Sequence, residues 1–240
     1  MRKIIIVFAL AVLFNACGTG KSLLSDDNSP ILTTIDLVNV VDDLVRVEIN
    51  PMAFTTETVL FRIPKTVPGT YSSDNYGKYI QDFKALDYKG NELEVVNLDD
   101  NSWSISNGVQ LDKIEYLVND TYDTENEVAD AVFSPAGTNI SKGSNFMLNL
   151  HGFVGYFDGF KERPYNILVH KPEALVATTS LSLEPNRKPD ALWDGFIAKR
   201  YFDVIDNPIM YARPNTEAFE INGITVRLSL FSPNGVYKAA

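Results

Sequence analysis

Alternation of apolar and polar residues with a period of two is the dominant pattern of this chain. Val45, Val47 and Ile49, for example, alternate with Arg46 and Glu48. Such a period turns one face of a strand toward a core and the other toward water. The clearest alternating segments, each predicted as a strand, are 45–49, 59–63, 114–118 and 224–230. Weaker patterns predict further strands at 31–40, 80–88, 92–97, 146–150 and 165–170.

Turn-forming residues separate these segments at short intervals. The Asn222-Gly223 pair lies between two alternating segments and predicts a tight β-hairpin. Helical patterns are confined to two short stretches, 123–131 and 201–205. Many short strands with close turns predict an all-β fold, arranged as an antiparallel β-sandwich or a curved double sheet.

The N-terminal residues have a different composition. Arg2 and Lys3 precede an apolar run over 4–14, which is too short for a bilayer-spanning helix of about 20 residues. It fits the apolar region of a secretory signal peptide, predicted over 1–16. A small residue then precedes Cys17, the single cysteine, in an arrangement that resembles the lipidation site of bacterial lipoproteins. The alternative is an ordinary signal peptide whose cleavage leaves a thiol by chance.

Lipidation at Cys17 predicts a protein anchored in the bacterial cell envelope, with the outer membrane as the expected location. Small polar residues over 17–30 predict a flexible tether, and a single β-rich domain is predicted over 31–240. The formal net charge of −10 argues against nucleic acid as a partner, because nucleic-acid binding requires clustered basic residues.

Catalytic motifs are not found in the sequence. The two histidines, His151 and His170, lack the H-E-x-x-H spacing of zinc peptidases, and no metal ligand or catalytic residue is predicted. No G-x-S-x-G motif accompanies the serines. A hydrolase that acts through carboxylates or serine therefore rests on residue counts alone.

Two segments are candidates for contact with a cleft or a partner. The segment 64–71 (PKTVPGTY) combines two prolines and a glycine in a rigid turn. The segment 149–160 combines three glycines with four aromatic residues, either as a binding loop or as an internal bend filled by aromatic rings. The candidate contact residues are Pro68, Gly69, Tyr71, Gly155, Tyr156 and Phe157.

These segments resemble the glycyl aminopeptidase family of zinc metallopeptidases. The turn at 64–71 is similar to the family's P-x-x-x-P-G-x-Y turn. The stretches 133–140 and 145–160 resemble its β-rich N-terminal domain as found in Bacteroidetes-type lipoproteins. The stretch 201–209 resembles the Y-D-x-L-V-D-S-P-I segment that leads toward the catalytic domain.

The sequence departs from the family at two motif positions. Thr66 replaces a common Trp, and Phe202 is an extra residue beside the Tyr-Asp pair. The family's activity, that of a metallo-aminopeptidase, resides in a thermolysin-like domain with H-E-x-x-H. The resemblance therefore implies no cofactor in this chain, with zinc expected only in that catalytic domain.

The resemblance implies a lipid-anchored accessory domain that supports or walls the substrate cleft of a catalytic domain absent from this chain. That domain would be a partner in cis or in trans, and an exposed apolar surface is expected where it docks. The alternative is a stand-alone cell-surface β-sandwich module that binds a peptide or a glycan through Phe153, Tyr156 and Phe157.

Overall fold

The computed structural model describes residues 29–51, 53–70, 72–122, 132–185, 187–188 and 190–239. The strands in these ranges are β1 (Ile31–Val41), β2 (Leu44–Asn50), β3 (Thr58–Arg62), β4 (Ile80–Asp87), β5 (Val95–Asp99), β6 (Ser102–Ser106), β7 (Leu111–Val118), β8 (Asn139–Ser141), β9 (Asn145–Leu148), β10 (Tyr156–Phe157), β11 (Tyr165–His170), β12 (Val176–Thr178), β13 (Ser182–Leu183), β14 (Trp193–Ala198), β15 (Ile209–Ala212), β16 (Asn215–Ile221) and β17 (Ile224–Leu230). The helical elements described are α1 (Tyr201–Ile205) and short 3-10 turns at Tyr76–Tyr79, Gly108–Gln110, Ser134–Ala136 and Leu150–Gly152. The prediction of an all-β fold is confirmed.

The strands form three sheets and a separate hairpin. The central sheet has the order β13-β14-β11-β1-β2-β7-β4, the second sheet β10-β3-β6-β5 and the third sheet β12-β15-β9-β8. Strands β1 and β11 pair in parallel, and the other pairs described are antiparallel. Strands β16 and β17 pair only with each other among the described residues, and we call them the terminal hairpin.

One hydrophobic core joins the three sheets. Ile35 and Val47 enter it from the central sheet, Phe61 from the second sheet, and Phe146 and Tyr211 from the third, all without exposed surface. Burial of each such side chain stabilises the fold by about 1.5–3 kcal/mol. Within the part of the chain that the structure describes, no residue of the terminal hairpin belongs to this core.

The period-two pattern predicted the strands well where one face is buried. Strands β2, β3, β7 and β17 lie where the alternation placed them, and α1 coincides with the predicted helix. The Asn222-Gly223 hairpin is confirmed, with φ of 50° and 78° at its two turn residues.

Two predicted strands have different bounds. The strand expected at 92–97 is displaced to Val95–Asp99, and the one expected at 146–150 ends at Leu148 because a 3-10 turn begins at Leu150. Strands β6, β8, β10 and β12–β15 were not predicted.

Several predictions lie outside the described residues. They are the signal peptide over 1–16, the lipidation of Cys17, the helical turn at 123–131 and the contact at Tyr71. The tether over 17–30 is outside as well, except for its last two residues. The single domain over 31–240 also stays a prediction, because the terminal hairpin contributes nothing to the shared core.

Candidate functional site

The segments identified from the sequence meet around one surface groove of about 720 Å³. The turn after β3, the loop that carries β10 and the helix α1 supply its walls. The lining residues are Pro64, Lys65, Thr66, Pro68, Tyr156, Lys161, Glu162, Arg200, Tyr201, Phe202 and Ile205. Of the candidate contact residues, Pro68 and Tyr156 therefore lie at the groove.

Buried tyrosines fix the loop before β10. Their hydroxyl groups donate hydrogen bonds to three consecutive carbonyl oxygens of 153–155: Tyr116 to the first at 2.7 Å, Tyr201 to the second at 2.7 Å, and Tyr165 to the third at 3.3 Å. Burial raises the pKa of all three phenols, so they remain protonated donors. These hydrogen bonds fix the backbone of 153–155 from the core side, and the next residue, Tyr156, lies at the groove.

Gly155 and Phe157 face the interior. A Cβ on Gly155 would lie 2.3 Å from Cζ of Phe61 and 2.4 Å from the carbonyl oxygen of Arg62, so only glycine fits there. Phe157 is 1% exposed, and its ring lies 5.1 Å from Phe54 and 5.2 Å from Phe61. These two residues pack against the core beneath the loop, and neither residue is accessible to a partner in this fold.

The turn after β3 is also constrained. Thr70 donates hydrogen bonds to the Val67 carbonyl oxygen from its backbone N–H at 3.3 Å and from its hydroxyl at 2.9 Å. Gly69 is exposed and adopts φ of 92°, a left-handed conformation that favours glycine. These contacts hold Pro68 against the groove.

Basic side chains dominate the charge of the groove. The Lys161 ammonium lies 4.1 Å from the centre of the Tyr156 ring, and Arg200 lies 5.4 Å from the Phe202 ring. The Lys161 carbonyl oxygen accepts a 2.8 Å hydrogen bond from the Tyr201 N–H, which ties the loop to α1. Both cations are thereby held beside aromatic faces.

The charged groove residues were not predicted from the sequence. Their signal was position alone: Lys65 lies inside the singled-out turn, Lys161 directly follows the aromatic segment, and Arg200 directly precedes the segment 201–209. Nothing in the sequence shows that these three segments meet.

A second polar cluster lies buried beside α1. The His151 ring contacts the carbonyl oxygen of Ala136 through Nε2 at 3.0 Å and packs 4.4 Å from the Tyr76 ring. Burial lowers the pKa of His151, although the carbonyl groups of Ala136 and Ile205 partly offset this effect. The ring is therefore neutral at pH 7.

A buried carboxylate completes this cluster. Asp74 resists protonation despite its burial, because hydrogen bonds from Ser72, Tyr76 and the Phe133 backbone N–H lower its pKa. Burial and this carboxylate raise the pKa of Tyr76, so its hydroxyl stays a donor. Asp74 and Tyr76 are therefore paired, whereas Nδ1 of His151 is buried without a hydrogen-bond partner among the described residues.

Neither histidine belongs to a metal centre in the described residues. His170 lies on the central sheet, where Nδ1 is 3.1 Å from Oδ1 of Asp36 and the ring stacks on Trp193 at 4.6 Å. Across the described ranges, no group of three or more His, Cys, Asp or Glu side chains is placed to hold a metal ion.

The terminal hairpin is a second candidate surface. Its large apolar residues all lie on one face, and most are exposed: Phe219 by 44%, for example, and Ile224 by 67%. No helix in the described part of the chain is both long and apolar enough to cross a membrane.

Comparisons with solved structures define the class of fold. The chain is similar to an aminopeptidase N family protein from Idiomarina loihiensis, with a TM-score of 0.70 and 19% identity over 83% of this chain and 32% of that one. It matches an M1 zinc metallopeptidase from Deinococcus radiodurans at a TM-score of 0.39, with 8% identity over 82% of this chain and 45% of that one. Yeast LTA4 hydrolase matches at 0.40, with 10% identity over 84% and 31%. The last two scores are too low to carry an argument.

The chain shares the β-rich fold of part of the Idiomarina protein and spans about a third of its length. The chain belongs to the Peptidase M61 N-terminal domain family, which matches residues 33–213. The predicted resemblance is confirmed at this level. No curated protein matches the chain.

Proposed function

We propose that this chain is the N-terminal accessory domain of a lipid-anchored zinc aminopeptidase, and that it supports or walls the substrate cleft of a catalytic domain. Membership of the M61 N-terminal domain family supports the assignment. Lipidation at Cys17 and a location at the bacterial cell envelope rest on the sequence pattern. Zinc is expected in the catalytic domain and not among the residues described above.

The observation that carries this proposal is the uncovered apolar face of the terminal hairpin. The strand register places Phe219 opposite Val226 and Ile221 opposite Ile224. This face carries Phe219, Ile221, Ile224, Val226, Leu228 and Leu230, with Asn215 and Glu217 at its end away from the turn. The opposite face carries Thr216, Ala218, Glu220, Thr225, Arg227 and Ser229.

Such a hairpin requires a partner for its apolar face. A two-stranded hairpin is at best marginally stable by itself in water, and contiguous exposed apolar surface marks an interface. Because the core of the three sheets does not cover this face, the stabilising contact must come from other residues.

The position of the hairpin favours a peptidase catalytic domain as its partner. The family match ends at residue 213, and β16 begins at Asn215. The preceding stretch 201–209 resembles the family segment that leads toward the catalytic domain. A membrane surface is a poorer occupant because the net charge of −10 opposes contact with anionic lipid.

The test begins with the coding sequence downstream of codon 240 and the neighbouring genes, where we expect an H-E-x-x-H peptidase domain. That domain is co-expressed with the full chain, and recovery of the complex is measured by affinity purification. The variant Phe219→Ser/Leu228→Ser removes apolar area from the hairpin, and we expect recovery to fall at least about tenfold. The matched control, Thr216→Ala/Ser229→Ala, changes the polar face and should bind as the wild type does.

Two results would contradict the proposal. One is the absence of any H-E-x-x-H reading frame in that region. The other is equal recovery of the catalytic domain with both hairpin variants, while their unfolding midpoints match that of the wild type. Self-association that the Phe219→Ser/Leu228→Ser variant abolishes would identify a second copy of this chain as the occupant instead.

A further inference from the structure

The groove concentrates positive charge on an acidic protein. Lys65, Lys161 and Arg200 line it, and Glu162 is the one carboxylate in the lining. Among the described residues, no carboxylate lies within ion-pair distance of Lys65 or Lys161. A local excess of cations within a chain of net charge −10 indicates an anionic ligand.

The guanidinium of Arg200 is only loosely engaged. It lies 3.9 Å from Oε2 of Glu162 and 3.7 Å from Oδ1 of Asp203, and the Glu162 side chain is 84% exposed. Long, exposed ion pairs of this kind contribute little to the stability of the fold. A ligand carboxylate placed in the plane of the Arg200 guanidinium would form a shorter, bidentate pair of hydrogen bonds with it.

Most of the remaining lining residues are apolar or aromatic. Tyr156 and Phe202 present aromatic surface, and Pro68 and Ile205 flank them. The contact between Lys161 and the Tyr156 ring at 4.1 Å holds the ammonium beside this surface before a ligand arrives. The groove therefore offers apolar contact and carboxylate recognition side by side.

We propose that this groove binds an acidic peptide segment, with its carboxylates at Lys161 and Arg200 and an apolar side chain against Tyr156 and Phe202. The volume of about 720 Å³ lies in the range of ligand sites, roughly 300–1,000 Å³. Nucleic acid is disfavoured by the net charge of −10. A glycan would find no side-chain amide among the lining residues.

The binding test uses the full chain in mild detergent and does not require a catalytic domain. The probe is a fluorescein-labelled hexapeptide, Ala-Phe-Glu-Glu-Phe-Ala, with an amidated C-terminus, titrated by fluorescence anisotropy. Its companions are the Gln-for-Glu peptide and the Gln peptide with a carboxylate terminus. They separate recognition of side-chain carboxylates from recognition of a chain end. We expect the Glu peptide to bind at least about tenfold more tightly than the amidated Gln peptide.

The variants change groove charge with matched controls. Arg200→Gln and Lys161→Gln should each weaken binding of the Glu peptide about three- to tenfold. Lys89→Gln removes the same charge from the exposed turn after β4 and should leave binding unchanged. Glu162→Gln removes the carboxylate that competes for Arg200 and should strengthen binding.

The proposal fails if the Glu and Gln peptides bind equally, or if neither binds at millimolar concentration. It also fails if Arg200→Gln and Lys161→Gln behave like Lys89→Gln. Displacement of the peptide by inorganic phosphate at equal concentration would show a general anion site and would overturn peptide recognition. Because the test uses this chain alone, its result is independent of whether the terminal hairpin docks a catalytic domain.

Discussion

Two β-hairpins of this molecule have similar turns but differ in the burial of their apolar faces. Strands β1 and β2 turn through Asp42 and Asp43, with φ of 51° and 53°. Strands β16 and β17 turn through Asn222 and Gly223, with φ of 50° and 78°. Both are two-residue turns in the left-handed region, and the strand after each turn, β2 or β17, alternates apolar and polar residues.

The hairpins differ in what covers the apolar face. In β2, Val45, Val47 and Ile49 have no exposed surface because the central sheet packs against the shared core. In β17, Ile224 is 67% exposed. Alternation therefore defines which face is apolar, whereas the partner decides whether that face is buried.

The largest expected difference between the two hairpins is in the free energy of unfolding lost when an isoleucine of each is truncated to alanine. Ile49→Ala removes buried methyl groups, and we expect a loss of about 2–5 kcal/mol in the free energy of unfolding. Ile224→Ala, on the exposed face, should change it by less than about 0.5 kcal/mol. Chemical denaturation of the full chain measures both, and equal losses would show that the terminal hairpin is buried in solution.

A smaller difference is expected for side-chain hydrogen bonds. Tyr201→Phe removes the buried donor to the Val154 carbonyl oxygen, and we expect a loss of about 1 kcal/mol. Thr225→Val removes the exposed hydroxyl that donates to Glu220, and no measurable loss is expected. The same denaturation experiment compares them, and a larger loss for Thr225→Val would reverse the comparison.

The turns themselves should respond in opposite directions. Gly223→Ala forces a Cβ into left-handed backbone and should destabilise the terminal hairpin by about 1 kcal/mol. Asp43→Gly relieves the same restriction in the β1–β2 turn and should stabilise that turn by a few tenths of a kcal/mol. Hydrogen exchange reads each turn separately, at 41–44 in the chain alone and at 215–230 in the complex with the catalytic domain, and an unchanged exchange rate at 215–230 in the Gly223→Ala complex would refute the first expectation.

The smallest effect is a pH dependence confined to the three-sheet body. The lowered pKa of His151 means that the unfolded chain binds more protons as pH falls below about 6.5, so stability decreases there. The lowered pKa of Asp74 adds a second loss below about pH 4.

Substitution of His151 separates these two losses. His151→Gln should flatten the dependence between pH 7 and pH 5 and leave the acid limb in place. Denaturation midpoints measured across this range test it. A profile identical to that of the wild type would mean that His151 does not carry the effect.

The alternation pattern predicted the strands that have one buried face and one solvent-exposed face. It failed where apolar and polar residues do not alternate clearly. Strand β14 was not predicted because Gly195 interrupts its pattern. The glycine is required there because Glu184 and Arg187 pack over it and leave no room for a side chain. Strand β6 was missed because serines surround Trp103 and Ile105 in a five-residue strand.

The groove depends on contacts between distant parts of the chain. The N–H of Tyr201 reaches the carbonyl oxygen of Lys161, and the N–H of Asn75 reaches that of Lys65. The motifs correctly identified the segments that form the groove, but not their meeting or the charge that results. Burial of Phe157 likewise follows from the packing of the second sheet, which spacing along the chain does not reveal.

Hydrogen exchange at residues 215–230 tests the central claim most directly, namely that the terminal hairpin is a docking surface. We predict rapid exchange of its amides in the chain alone, far faster than in β2, and slow exchange once the co-expressed H-E-x-x-H domain is bound. Protection equal to that of β2 in the chain alone would contradict the account. Exchange that stays rapid in the complex would contradict it as well.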